Sequence, residues 1–416
     1  MRVRLFAPLL ALLLALAACG QAMPGGRPTP AAGYDPAAMP WQNVVAKARG
    51  TTVNIHMWGG DDTINRYMDE YVAPRVKQEF DITLKRTPLS DTVEAVNKIA
   101  GDKTAGKGSG GAIDLLWVNG ENFRTLRQGG LLFGPWARDI PNSQYIPWDK
   151  PDVANDFGYP VDGYEAPWGR AQFVMVYDSA RVPDPPKSFA ALLQWAQAHP
   201  GRFTYPAPPD FTGSVFVRHG FYEAAGGYKD LLGPFNQQTF DAKAPAAWKL
   251  FNDLAPHLWR GGQTYPQSIA ELDKLFANGE VDFTMSYNPA HASGQIERGV
   301  FPPTTRSYLF TAGTIANTHY LAIPFNASNP PGAMVVANFL ESPAAQLEKA
   351  KPAVWGDMPA VDTARVPEAE RAAFAALPRG PATLPLDELS AHAQPELQGD
   401  WLEQIEKGWI ANVLKR

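Results

Sequence analysis

The residues of this chain that look suited to catalysis do not assemble a catalytic site. Gly101-Asp102-Lys103-Thr104-Ala105-Gly106-Lys107-Gly108 nearly spells a phosphate-cradling loop. It carries Gly108 where Mg²⁺ chemistry needs Ser or Thr, and it lies between a helix and a strand rather than between a strand and a helix. The overlapping Gly106-Lys107-Gly108-Ser109-Gly110-Gly111 fits a dinucleotide pattern by letters but again precedes its strand. The 7 histidines never stand at metal-ligand spacing, and one cysteine cannot form a zinc-type pair. No G-x-S-x-G nucleophile elbow occurs. Asp61 and Asp62 are adjacent carboxylates, whose side chains rarely converge on one bond. No cofactor and no metal is expected.

Another set of residues shares one character. Trp58-Gly59-Gly60-Asp61, Asn119-Gly120-Glu121-Asn122, Trp168-Gly169-Arg170, Tyr205-Pro206 and Ser286-Tyr287-Asn288 each place an aromatic or polar cluster at the end of an expected strand. In open α/β sheets, ligands bind outside the carboxyl ends of the strands. Glycine lets the backbone approach a ligand, and Trp and Tyr give flat, rigid walls.

The elements that would hold these clusters alternate. Thr52 to Met57 reads as a strand by apolar–polar alternation. A helix follows with Ile64, Tyr67, Met68, Tyr71 and Val72 on one face, capped by Asp62 or Thr63. Ile82 to Arg86 is a strand, and Asp91 to Ala100 a helix with Val93, Val96 and Ala100 inward. Ala112 to Asn119 is apolar enough for a strand buried on both faces. A second α/β unit follows: strand Phe173 to Tyr177, helix Phe189 to Ala198, strand Phe203 to Tyr205 and a helix from about Val215. Ser268 and Glu271 form a capping box, and Val281, Phe283 and Met285 alternate in the next strand. His319 to Ile323 and Gly332 to Leu340 complete a strand and a helix, and helical patches recur near 367–377 and 400–414. The fold class is α/β, with two doubly wound domains joined by crossing strands.

The chain is 416 residues, room for two or three domains, with 45% apolar and 19% charged residues. It can build a core, and a net charge of −5 without a basic block argues against nucleic acid. Arg2 and Arg4 precede an apolar run from Leu5 to Ala18, which reads as an export signal. Leu16-Ala17-Ala18-Cys19 resembles a bacterial lipobox, which would lipidate Cys19; the alternative is a plain signal peptide cut nearby. The Gly-, Pro- and Ala-rich stretch beyond it suits a tether.

At this point the chain resembles the extracellular solute-binding proteins of ABC importers, with the type II periplasmic fold, and within them a YnjB-like branch. The resemblance rests on residues 57–67, 88–98 and 114–124, on Ala166-Pro167-Trp168-Gly169 to Tyr177 as a hinge crossing, and on Pro208 to Ser214 as a second-domain loop. It implies an interdomain cleft, hinge closure on a small-molecule solute, and delivery to a permease with a cytoplasmic ATPase. It also implies a periplasmic or surface location, held to the membrane by a lipid on Cys19, and a monomer. The expected domains are signal 1–18, lipidated tether 19–48, domain 1 at 49–168 plus about 305–345, domain 2 at 169–304, and C-terminal helical segments 346–416 packing on both.

Two ligand chemistries stay open. Trp58, Trp168, Tyr205 and Tyr287 with Asp61, Glu121 and Asp210 suit a flat or cationic solute such as thiamine, since cation–π contact adds roughly 0.5–2 kcal/mol. Thr212-Gly213-Ser214 at a helix N-terminus, with Arg170 nearby, suits a phosphate or carboxylate instead. Gly59, Gly60, Asn119 and Asn288 complete the candidate cleft. A periplasmic hydrolase on the same fold, or a sensory or adhesion lipoprotein, is the alternative of a different class.

Overall fold

The computed structural model describes residues 39–415. The export signal, Cys19 and most of the expected tether lie outside the described residues. The remainder of the stretch expected as tether is not loose: Trp41–Ala48 is a helix that buries Val44 and Ala48 in the core.

Strands β1 (Thr52–Trp58), β2 (Thr83–Leu89) and β3 (Leu115–Val118) are parallel, with Thr52 opposite Thr83 and Ile55 opposite Leu115. The chain then crosses between lobes. β4 (Glu165–Gln172) ends the first lobe and β5 (Val174–Asp178) begins the second, with one residue between them. β5 pairs antiparallel with β6 (Phe283–Ser286) and β7 (Thr305–Tyr308). β8 (Thr314–Ala322) returns to the first lobe and runs antiparallel to both β3 and β4. The first sheet therefore reads β2-β1-β3-β8-β4, with Ala393–Gln394 added beside the start of β8.

Each sheet is covered as its sequence demands. β1 alternates half-buried and fully buried residues; Val53, Ile55 and Met57 face one core of the first lobe. Leu116, Val118, Phe123 and Leu126 make a second core on the other face. The second lobe packs Phe173 to Val176, helix Phe189–Ala198 and helix Phe211–Ala225 in one cluster. The C-terminal helix Gly399–Trp409 drives Trp401, Ile405 and Trp409 into that cluster.

Several elements differ from expectation. Phe203 to Tyr205 is buried, but Phe203 O accepts from Trp259 N, at the start of a 3-10 turn, at 2.8 Å, and no strand forms. Thr305–Tyr308 joins the second lobe's sheet, although it was expected in domain 1. Helix Val93–Thr104 buries Ala95, Val96 and Ile99 and leaves Val93 exposed. The helix expected near Val215 starts at Phe211, because Asp210 caps it there. The helix that follows β1 is capped by Asp61, not Asp62 or Thr63.

The crossing is tightly made. Trp168 is an extra residue in β4, since His319 faces Gly169 while Tyr320 faces Pro167. The bulge turns the Trp168 carbonyl toward Lys349, whose ammonium is fully buried and also donates to Asp357 Oδ2 at 2.6 Å. His319 Nε2 meets the other Asp357 oxygen at 3.1 Å. Burial pushes the Lys349 pKa down, and Asp357 works against that. A Cβ on Gly169 would stand 2.0 Å from Asp357 Oδ2 and 2.7 Å from Lys349 Nζ. Gly169→Ala should therefore lower stability by about 1–3 kcal/mol through overpacking. Urea unfolding followed by tryptophan fluorescence checks this; an unchanged midpoint would show that the ion pair moves aside without cost.

Candidate ligand-binding site

Part of the expected set of strand-end clusters meets groups of the opposite lobe, and part does not. At the end of β1, Gly59 N donates to Leu89 O at 3.0 Å, which carries Trp58-Gly59-Gly60 to the sheet's edge. Asp61 turns its carboxylate onto the helix that follows, accepting from Thr63 N at 2.7 Å. At the end of β3, Asn119 bridges two strands: Nδ2 donates to Thr318 O at 2.6 Å and Oδ1 accepts from Trp117 Nε1 at 3.1 Å. Gly120, at a φ of 60°, lets the chain turn at once into helix Gly120–Gln128. Its N–H donates to the buried Asp156 at 2.6 Å. Glu121 follows in the first turn.

The second lobe answers with the start of helix Phe211–Ala225 and the end of β6. Tyr287 donates its hydroxyl to Glu396, which the fully buried Arg218 grips at 3.1 and 2.9 Å. Arg218 also donates to Ser214 Oγ at 2.7 Å, and Ser214 donates in turn to Glu406. Asn288 Nδ2 reaches Trp355 O at 2.9 Å, and Trp355 stacks in the first lobe on His319, meets Trp168 edge-on and lies tilted to Trp117. Rings also meet across the lobes. Phe157 of the first lobe lies 6.4 Å from Phe211 of the second, and Phe211 lies 5.2 Å from Tyr287. Phe211 stays 46% exposed, a large apolar side chain open at the lobe junction.

Charge around Glu121 is unbalanced. Burial raises its pKa from the ordinary 4.5 to about 7, and Glu406 and Asp91 push the same way against Arg218. Arg218 is already committed to Glu396. Burial holds Asp156 well above the usual range, and Glu121 and Glu396 add to that. Among the described residues no lysine or arginine pairs with Glu121. At the opposite end, His291 of the second lobe bonds Asp273 at 2.7 Å. Burial lowers the His291 pKa, but Asp273 and the first lobe's Asp61 outweigh it, and the net shift is upward.

Several expected ligand residues are employed elsewhere. Tyr205 is fully buried in the second lobe's core, accepting from Trp409 Nε1 at 3.0 Å, so it does not line the junction. The anion site expected at Thr212-Gly213-Ser214 is filled from within. Asp210 Oδ1 accepts from Thr212 N at 3.0 Å and Gly213 N at 2.9 Å, and its Oδ2 from Ile269 N at 3.1 Å. One carboxylate thus caps two helices, with both of its oxygens engaged by backbone amides. Arg170 is paired with Asp152. Trp168 is fully buried and acts as a wall behind Trp355, with Lys349 Nζ 5.4 Å from its ring. Of the candidates, Asp61, Glu121, Tyr287 and Asn288 interact with groups of the opposite lobe, while Trp58, Gly60 and Asn119 lie at strand ends of the first lobe. Phe157, Phe211, Trp355, Glu396 and Glu406 join them and were missed. A cavity of about 220 Å³ elsewhere in the second lobe is lined by Phe189, His219, Tyr222 and Phe310. His219, Tyr222, Glu223 and Gln394 there are all hydrogen-bonded within the protein, so it presents no unused polar side chain to a ligand.

The same architecture is found in characterised proteins. The model of a family described as bacterial extracellular solute-binding protein matches residues 70–377. Protein YnjB of Escherichia coli (strain K12) is 40% identical over 373 residues, 90% of this chain and 94% of that protein. Among solved structures, the periplasmic thiamin binding protein matches with a TM-score of 0.58 at 18% identity, over 88% of this chain and 96% of that one. The spermidine/putrescine substrate-binding protein PotD of Streptococcus pneumoniae gives 0.60 at 15%, over 87% and 98%. AfuA of Actinobacillus pleuropneumoniae, solved with fructose-6-phosphate, gives 0.59 at 14%, over 88% and 99%. At these identities the structures share the fold alone.

The Glu121 shift has a sign that can be measured. A carboxyl whose pKa rises on folding is held protonated more tightly in the folded form. Its contribution to stability is full below 4.5 and is lost as pH rises through about 7. Glu121→Gln should therefore match the unmodified protein near pH 4 and be the more stable of the two at pH 8. Thermal unfolding across that range checks it, and parallel curves at both ends would mean that Glu121 is solvated.

Proposed function

The chain belongs to the bacterial extracellular solute-binding proteins and is the solute-binding component of an ABC transporter; from that premise we propose that it closes its two lobes on a cationic organic solute. The observation that carries this reading is the carboxylate excess around Glu121. Glu121, Asp91, Asp156 and Glu406 gather there with two arginines, each already paired: Arg218 with Glu396 and Arg124 with Asp400. Among the described residues no group of His, Cys, Asp or Glu is arranged to hold a metal ion, so an organic cation fits better than a metal. Phe211 and Tyr287 supply faces for such a cation. The solute would enter from the open side, pair with Glu121 and draw the second lobe down on the first.

The relatives' own ligands give this some range. One neighbour is named for thiamin, one for spermidine and putrescine, and one was solved with a sugar phosphate. The thiamine-like option is the one we favour for this chain, because an aromatic cation uses both the rings and the acid. The anionic option loses its site, since Asp210 occupies the helix N-terminus that would have held it. The family places the chain in the periplasm or at the cell surface, working with a permease. We further propose that Cys19 is lipidated and tethers the protein there, and that it acts as a monomer. Family and neighbours are transport binding proteins, and no chemistry is proposed at the cleft.

A thermal-shift panel tests the reading, run on protein refolded to strip carried ligand. It holds thiamine, spermidine, putrescine, γ-aminobutyrate and fructose-6-phosphate. A binder present at 100 times its Kd should stabilise the fold by about 2.7 kcal/mol. Thiamine or a polyamine should shift the midpoint, compact the protein in small-angle scattering, and bind at least about tenfold more weakly to Glu121→Gln. A response to the phosphate ester alone would overturn the cationic reading and leave the family assignment standing.

A further inference from the structure

Strand β8 carries an asparagine whose side chain is idle inside the protein. Asn317 is only 7% exposed, and among the described residues neither its Oδ1 nor its Nδ2 has a hydrogen-bond partner. Buried polar atoms are rarely left so, and an idle one calls for a ligand or a reason. Its neighbours on the cleft-facing loops behave differently. The Asn119 amide is committed to Thr318 and Trp117, and the Asn288 amide to Trp355 and Ala290.

The position of Asn317 is where the lobes meet. Side chains alternate along a strand, so Ile315, Asn317 and His319 share a face. Ile315 belongs to the second lobe's core, while His319 stacks on Trp355 and bonds Asp357 in the first. Opposite Asn317 in register is Ala171, which brings no bulk to that face. The next residue, Gln172, donates its N–H to Tyr287 O at 3.0 Å, which brings the end of β6 alongside. Trp168, two positions from Arg170 in β4, also has a buried Nε1 without a partner. The strand that joins the two lobes therefore holds one complete unused amide, with an unused indole N–H on the neighbouring strand.

We propose that the Asn317 amide is a specificity-determining contact that reads a planar donor–acceptor edge on the solute, such as that of an aminopyrimidine or a primary amide. The proposal rests on the cleft being the ligand site. A primary amide presents one acceptor and two donors in a plane, so it pairs through two parallel bonds with a group offering the converse. A carboxylate, acceptor only, leaves Oδ1 unpaired, and an aliphatic ammonium leaves Nδ2 unpaired. In a dry site each such mismatch is penalised, which is how a hydrogen-bonding pocket rejects an analogue lacking the edge.

The experiment compares the full chain with Asn317→Leu and Asn317→Asp. The probes are thiamine, which has an aminopyrimidine edge and a cationic ring, and spermidine, a cation with no such edge. The ligand-free melting midpoint of Asn317→Leu should rise, because an idle amide gives way to an apolar side chain of similar size. Its calorimetric affinity for thiamine should fall about tenfold or more, while spermidine binding stays within error of the unmodified protein. Asn317→Asp, which keeps the shape and loses the donor, should weaken thiamine as well. A lower midpoint for Asn317→Leu would overturn the proposal by showing that the amide is bonded within the fold. Undiminished thiamine binding, or binding of spermidine without thiamine in the unmodified protein, would overturn it too. If neither probe binds, the cationic reading fails separately, and the direction of the midpoint still decides whether Asn317 is kept for a ligand.

Discussion

Where the chain returns to the first lobe, the backbone N–H of Ile315 goes to a side chain, His219 Nε2, at 2.9 Å. The other ring nitrogen, Nδ1, faces Val215 O at 2.7 Å. This works only for a neutral imidazole with its proton on Nδ1, because a cation has no lone pair to offer Ile315. Burial secures that state by pushing the His219 pKa down to about 3. Around this bond the crossing is satisfied group by group. Phe173 N donates to Ile315 O at 2.9 Å, and Gln172 Nε2 donates to Thr314 Oγ1 and Leu389 O. Two lobes can hang on two short crossings only if no buried backbone group there is left seeking water.

With these backbone groups paired, the crossing leaves the charges to the surfaces that face each other. The first lobe presents Glu121 at a helix N-terminus, where the macrodipole favours a negative charge, yet dehydration and neighbouring acids disfavour it more. The second lobe presents Arg218 and then cancels it with Glu396. Removing either member of so buried a pair would cost about 3–5 kcal/mol, since the other would be left charged in a dry site. The pair is therefore structural in its energetics while it shapes the field that a solute meets. Asp61 and Asp210 show the same economy. Both are acids at helix starts, and both are spent on capping backbone amides.

The sequence reading and the structure agree where the signal is local and diverge where it is not. β1 and helix Phe189–Ala198 follow from patterns read within a dozen residues, and the apolar run expected as a strand over Ala112 to Asn119 forms one over Leu115–Val118. The change of texture around Trp168 marks the neighbourhood of the crossing but not its position: the first lobe's strand runs on to Gln172 and the second lobe's begins at Val174. Tyr205 was misplaced because an aromatic residue before a proline looks the same in a core as at a ligand wall. Its partner Trp409 stands 204 residues away. Glu396 and Glu406 come from the C-terminal segment, where the sequence marks a helical patch around Glu406 but only tertiary contact with Arg218 and Ser214 gives the two acids a role. The helix-start acids were ambiguous in principle: whether a carboxylate caps its helix or waits for a cation depends on a rotamer that composition does not fix.

The C-terminal helix has a consequence for how the protein is made. Trp401, Ile405 and Trp409 complete the second lobe's core, and Glu396 completes its buried ion pair. The first lobe waits as well, since β8 sits between β3 and β4 and cannot be replaced by anything earlier in the chain. Neither lobe can finish folding on the ribosome until nearly the whole polypeptide has been synthesised. A protein destined for the far side of a membrane gains from that delay, because the translocation channel receives a chain that has had no chance to become compact.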